Sequence, residues 1–253
     1  ILVDNASTES IPERVASTFP WVEVIESSEN LGFSGGNNLA LRTVEAPFTL
    51  LLNTDMELTA QSNFDHYIPF MQQHLDIAVV TPKVTLPDGS LDWACHRGEP
   101  TLWAAATYFS KLESLFPEST IFAQYHQSYK DLETTHDIDA CTAAAMLVRT
   151  SAMKEVGLLD ERFFMYAEDL DWCRRFREAG YRIVYHPTVE IIHHKNKSGI
   201  ESSTSETAST TKDAFYDTML QYYDKHYATT YPTWVRTGID ATIKLLKGVH
   251  RVT

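Results

Sequence analysis

Phe48-Thr49-Leu50-Leu51-Leu52 is an apolar run that stops abruptly at Asn53-Thr54-Asp55. It is too short for a helix and has no polar alternation, so it reads as a strand buried on both faces of a parallel sheet. A strand of that kind needs helices on its faces. The start of the chain repeats the pattern, since Ile1-Leu2-Val3 runs into the polar loop Asp4-Asn5-Ala6-Ser7-Thr8. Strands alternating with short helices define an α/β sheet, where ligands bind beyond the carboxyl ends of the strands. Asp4 and Asp55 both follow strands at that edge. With 253 residues, 43% of them hydrophobic, the chain can fill one large core with an appendage.

The remaining pattern predicts helices near 11–19, 39–44, 64–74, 152–156 and 213–226, and strands near 21–25, 77–80, 140–148, 181–185 and 189–192. Gly157 ends one helix, and Gly180 ends another that carries Leu170, Cys173 and Phe176. Pro87-Asp88-Gly89-Ser90 is a hairpin turn. Residues 30–38 read as a Gly/Asn-rich loop, and the Ser/Thr-rich stretch 196–211 reads as a mobile loop. Residues 97–137 are aromatic and irregular. From Trp234 to Arg251 a helix is expected with Val235, Ile239, Thr242, Leu246 and Val249 on one face. Arg236, Lys244, Lys247 and Arg251 fall on an adjoining face. That basic face suits peripheral contact with an anionic membrane, and packing on the domain or on a second copy of the chain is the equal alternative.

A net charge of −13 lacks the basic footprint of a nucleic-acid binder. Cys95, Cys141 and Cys173 are far apart and form no C-x-x-C pair, so neither a disulfide framework nor a zinc site is suggested. A reducing, cytoplasmic compartment fits. No apolar run approaches the roughly 20 residues that span a bilayer.

Two acidic elements carry the chemistry. Asp55, with Glu57 nearby, offers oxygen ligands to a hard divalent ion such as magnesium or manganese. The plain alternative is a turn that uses Asn and Asp for local hydrogen bonds. Glu168, Asp169 and Asp171 crowd the start of a helix behind Tyr166. Helix-dipole charge explains one or two of them, and a base that takes a proton from a hydroxyl is the other use. Gly35 and Gly36 permit close backbone approach to a ligand, and Asn37-Asn38 can open a helix. The spacing is neither G-x-G-x-x-G nor a Walker loop. His193 and His194 end a strand and point to opposite faces, so at most one enters a site.

In order, Leu2 to Ser7, Asn30 to Asn38, Leu50 to Asp55, Pro87 to Ser90, Ala144 to Arg149, Val156 to Phe164, Tyr166 to Asp171, Gly180 to Tyr185 and His193-His194 resemble a glycosyltransferase of family 2, in its rhamnosyltransferase-like branch. The resemblance covers residues 1 to 226. It implies a GT-A fold: a Rossmann-like mixed sheet flanked by helices, with a glycosyltransferase domain over 1–211 and a helical appendage over 212–253. The nucleotide-sugar part would cover about 1–92 and the acceptor part about 93–211. The family normally opens with a further nucleotide-contacting strand, and none precedes Ile1.

By resemblance, Asp4 and Asn5 lie near the nucleotide base, and Gly35, Gly36, Asn37 and Asn38 line the nucleotide-sugar pocket. Asp55 stands at the acidic end of the metal motif and His194 touches metal or diphosphate. Asp169 is the base and Glu168 its neighbour. Apart from the resemblance, the irregular aromatic region 93–137 is expected to shape the acceptor side, with Trp93 and Arg97 as candidates. The implied reaction is inverting transfer, with L-rhamnose as the expected sugar and a bacterial cell-wall glycan or lipid-linked glycan as acceptor. A non-catalytic nucleotide-sugar binder and a nucleotidyltransferase are the alternatives.

Overall fold

The computed structural model describes residues 1–8, 11–195 and 205–250. In chain order its elements are β1 (Leu2–Asn5), α1 (Ile11–Thr18), β2 (Val24–Ser27), α2 (Gly32–Leu41), β3 (Phe48–Leu52), β4 (Met56–Leu58), α3 (Tyr67–Gln73), β5 (Ile77–Thr85), α4 (Leu102–Phe109), α5 (Leu112–Leu115), β6 (His136–Ile138), β7 (Ala145–Arg149), α6 (Thr150–Val156), α7 (Glu168–Glu178), β8 (Arg182–His193), α8 (Ser205–His226) and α9 (Thr233–His250). They form two compact units. One comprises Ile1–Ala40, Asp160–Glu168 and the chain from Lys195 onward; the other comprises Leu41–Leu159 and Asp169–His194.

In the first unit β1 and β2 pair in parallel. The stretch expected to be a loop over 30–38 is helical from Gly32, because close packing outweighs the poor helix propensity of glycine. A Cβ on Gly36 would lie 3.1 Å from the Asn5 amide, and one on Gly32 would lie 2.3 Å from the Phe164 carbonyl. Glycines let this helix lie against β1 and the 160–168 segment. The second strand also departs from expectation: it starts at Val24, leaving Trp21 78% exposed.

Helix α8 begins at Ser205, within the stretch expected to be a mobile loop; residues 196–204 lie outside the described residues. Helix α9 packs on α8 with Ile243 buried. The three described cations of its expected basic face have acidic partners within the protein. Arg236 pairs with Asp224 at 3.0 Å, Lys247 with Asp217 at 2.6 Å and Lys244 with Asp240 at 2.7 Å. Arg251 lies outside the described residues. Among the described residues no helix is long and apolar enough to cross a membrane.

The second unit is built on a mixed sheet of order β3-β7-β5-β8-β4, with β6 also pairing β8. Strand β3 is antiparallel to β7 at the edge and only half-buried, so the expectation of a strand buried within a parallel sheet is corrected. Strands β5 and β8 are parallel, and the two strands expected at 181–185 and 189–192 are one. The apparent break is a bulge: Thr81 faces Tyr185 while Lys83 faces Glu190. Pro187 in the bulge has no N–H to give a ladder, and Tyr67 Oη donates to the freed His186 carbonyl at 2.6 Å.

Ile77, Val79, Met146, Val148, Trp172, Phe176 and Ile183 fill the core. All three cysteines are free and buried, and burial pushes the Cys95 thiol up to about 12, which keeps it unreactive.

Gly32 and Gly89 both have positive φ, but a Cβ on Gly89 meets nothing within 4 Å. Gly89→Ala should therefore cost about 1 kcal/mol, and Gly32→Ala at least about twice that because steric overlap adds to the strain. Chemical denaturation of the two variants checks this; equal losses would contradict it.

Candidate active site

Helix α7 opens behind a strained turn, with Tyr166 at φ 70° and Ala167 at φ 63°. Neither residue is glycine, so the left-handed backbone here is held by its surroundings. The Tyr166 ring packs edge-on against Phe215, and Phe33 N–H donates to the Phe164 carbonyl at 2.7 Å. Glu168 is buried as α7 begins.

The acids of α7 have separate environments. Asp171 is fully buried and bonded to Arg175 at 2.9 Å. Arg175 in turn donates to the Val156 carbonyl at 2.8 Å and the Leu158 carbonyl at 2.7 Å, which makes the pair a brace for the end of α6. Asp169 is 7% exposed; its Oδ2 accepts from Arg97 Nη2 at 2.5 Å and its Oδ1 from the Leu170 N–H at 2.7 Å. Burial opposes the charge on Arg97, but the facing Asp169, together with Tyr125 and Cys173, outweighs it and the guanidinium is held well above its ordinary range. Its Nε is buried without a hydrogen-bond partner.

Arg97 is fixed through its backbone, which forms a bridge with Ala140. Two residues on, Glu99 accepts from Arg174 Nη1 at 3.0 Å and from Arg177. Trp93 is half-buried in a short turn before Arg97, its ring centroid 5.4 Å from that of His126. The structure thus brings Arg97 to Asp169. Sequence reasoning gave each a role but could not foresee the pair.

Asp55 follows β3. Its Oδ1 is buried with no hydrogen-bond partner, and its Oδ2 lies 3.4 Å from His193 Nε2. His193 Nδ1 bonds Asp92 Oδ2 at 2.7 Å, and Asp92 is almost fully buried. With its Nδ1 held by a carboxylate, a neutral His193 would present its Nε2 lone pair to Asp55, the arrangement that orients a metal-binding histidine. Two acceptors facing each other, one with an orphaned oxygen, fit a divalent cation. The ring of the expected partner His194 does not face the Asp55 carboxylate; it bonds Glu57 at 2.6 Å toward solvent. Among the described residues no group of three or more His, Cys, Asp or Glu is arranged to hold a metal, so Asp55 and His193 are a partial shell.

In the first unit, Asp4 is buried at the end of β1 and accepts from Ser7 N–H at 3.2 Å. Asn5 accepts from Leu31 N–H at 2.9 Å and donates to the Gly32 carbonyl at 2.9 Å, so it fastens the start of α2 to β1. Asn37 bonds the Phe33 carbonyl within α2, and Asn38 bonds Glu161 at 2.8 Å. Gly35 lies against Leu31 and Gly36 against Asn5.

The sequence pattern described as Glycosyltransferase like family 2 matches residues 2–213. The chain belongs to this family. N-acetylglucosaminyl-diphospho-decaprenol L-rhamnosyltransferase of Mycobacterium tuberculosis is 25% identical over 85% of this chain and 72% of its own length. Rhamnosyltransferase WbbL of Escherichia coli K12 is 42% identical over 64 residues, 24% of each chain. The mannosyltransferase PcManGT of Pyrobaculum calidifontis, solved with GDP-Man and Mn2+, aligns with a TM-score of 0.54 at 16% identity, over 96% of this chain and 59% of that one. The last likeness speaks for the GT-A fold alone. The expectations of a family 2 glycosyltransferase, rhamnosyltransferase-like in sequence and GT-A in fold, are met.

Removing one partner of the buried Arg97–Asp169 pair leaves an uncompensated charge, which costs about 3 kcal/mol or more. Arg97→Met should lose that much stability, and adding Asp169→Leu should recover a large part of it. A double-mutant cycle in urea checks the coupling; additive losses would deny it.

Proposed function

We propose that the chain transfers L-rhamnose from a nucleotide-diphospho-sugar to a hydroxyl of a lipid-linked glycan, with inversion at the anomeric carbon. The choice of sugar and acceptor is supported by likeness to the two rhamnosyltransferases. The observation that carries the chemistry is the buried Asp169, gripped at both oxygens by Arg97 and the Leu170 amide. A proton acceptor works only when aimed, and both bonds hold this carboxylate in one orientation.

In this reading Asp169 takes the proton of the acceptor hydroxyl as that oxygen bonds the anomeric carbon. The bond from that carbon to the diphosphate oxygen breaks, and its electron pair leaves with the diphosphate. Entry opposite the leaving group inverts the centre. Glu168, next to the base, contributes to the acceptor side. Asp4 is the residue for the nucleotide base, and Asn5 together with Gly35, Gly36, Asn37 and Asn38 keeps α2 in place on the donor side. Asp55 and His193 would hold a divalent ion, magnesium or manganese, which when bound supplies positive charge against the leaving diphosphate. Asp92 keeps His193 turned toward that position.

Asp169→Asn should abolish transfer from dTDP-L-rhamnose while leaving its binding intact by calorimetry; transfer at the wild-type rate would remove the base assignment. His193→Ala should weaken Mn2+ binding, measured calorimetrically with dTDP present, by about 10–100-fold, and His194→Ala should leave it unchanged. The reverse order would exchange the two histidines.

A further inference from the structure

The second unit carries a pair of titratable groups that proton transfer does not use. Glu113 on α5 is 6% exposed, and its Oε1 lies 2.5 Å from His126 Nδ1. Its Oε2 is buried with no hydrogen-bond partner. His126 is fixed from behind as well, because its carbonyl accepts from His96 Nδ1 at 2.8 Å. Burial holds His126 below the ordinary imidazole range, although Glu113 pulls the other way. A neutral His126 therefore gives its Nδ1–H to Glu113 and keeps an Nε2 lone pair, which has no partner among the described residues.

Aromatic rings surround it. The centroids of Trp93, Tyr108 and Tyr125 lie 5.4, 5.5 and 5.0 Å from that of His126. The segment is tied to Arg97 through its neighbour: Gly98 N–H donates to the Tyr125 carbonyl at 2.7 Å, and a Cβ on Gly98 would lie 2.1 Å from the Gln124 carbonyl. Arg97 feels Tyr125 electrostatically, and His126 feels Arg97. One region thus offers a buried donor without a partner (Arg97 Nε–H), an acceptor without a partner (His126 Nε2) and partly exposed aromatic faces. A pyranose ring has the complementary chemistry, with hydroxyls that donate and accept around an apolar C–H face.

We infer that Trp93, Tyr108, Tyr125 and His126, with Glu113 orienting His126 and Arg97 joining them to Asp169, form the subsite that binds the acceptor's sugar ring. The inference rests on the reading of Asp169 as the base on the acceptor side. It assigns His126 and Glu113 a role in acceptor recognition and leaves donor binding alone.

The test is saturation-transfer NMR with methyl glycosides of N-acetylglucosamine, L-rhamnose and D-mannose, without donor. The wild-type chain should bind at least one of them saturably. His126→Phe and Trp93→Leu should each weaken that binding about ten-fold, while His126→Gln, which keeps an acceptor, should lose less. Glycoside affinity should fall as acid protonates His126, because Nε2 then no longer accepts. The charges facing it are Glu113, Arg97 and Asp92, and this pH profile should vanish in His126→Gln. Binding of dTDP-L-rhamnose by calorimetry should be unchanged in every variant. A His126→Phe protein that melts like wild type and binds glycoside equally well would overturn the subsite. So would a wild-type chain that binds the nucleotide sugar but none of the glycosides, with the transferase reading left standing. Glycoside binding lost in His126→Phe, in a chain that does not bind dTDP-L-rhamnose, would support the subsite and remove L-rhamnose as the transferred sugar.

Discussion

Strand β8 is the constraint on which the second unit depends. It pairs with β5 in parallel and with β4 and β6 in antiparallel fashion, so three strands take their register from it. Its first residue is pinned from two sides, since Arg182 bonds Asp137 at 2.7 Å and Asp76 at 3.0 Å. At its far end Met56 lies opposite His193, and the His194 N–H donates to the Asp55 carbonyl at 2.9 Å. This register sets which imidazole meets the Asp55 carboxylate. A slip of one residue would turn His193 to solvent and bring in His194, because side chains alternate faces along a strand. The histidine that faces Asp55 is thus set by how the end of β8 pairs with β4.

Sequence pattern gave reliable access to features decided locally. Apolar runs marked β1, β3, β5 and β7, and Gly157 and Gly180 stop their helices with positive φ. Pro87 to Ser90 turns as its residues dictate, with Leu86 N–H bonded to the Ser90 carbonyl. Features decided by partners were not legible. The glycines of α2 look like a loop until Asn5 and Phe164 are seen to require them. The continuity of β8 is hidden because a bulge at Pro187 mimics a break. For His193 and His194 the alternation showed that only one could enter a site, but the register that chooses between them involves a strand more than a hundred residues away.

The candidate site shows the same division. Asp169 and Arg97 were visible singly, through a family resemblance and an aromatic neighbourhood. Their pairing depends on Glu99, Arg174 and Arg177 holding residues 97–99 against α7. The Glu113–His126 pair left no signal of its own in the sequence. Its members lie 13 residues apart in an irregular segment whose course is set by Gly98 passing under the Gln124 carbonyl.

Crowding three acids into the first turn of α7 would be costly if they shared one environment. Two of them have different counterparts instead. Asp171 is neutralised by Arg175 one turn along the same helix, and it ties α7 to the end of α6. Asp169 meets Arg97 from outside the helix. The helix dipole favours all three acids, but it cannot tell them apart; the two arginines can. An acid whose partner sits on its own helix acts as a brace. Asp169 takes its partner from another segment, the one that also carries Trp93. Of the three acids, Asp171 and Asp169 are therefore distinguished by where their positive charges come from.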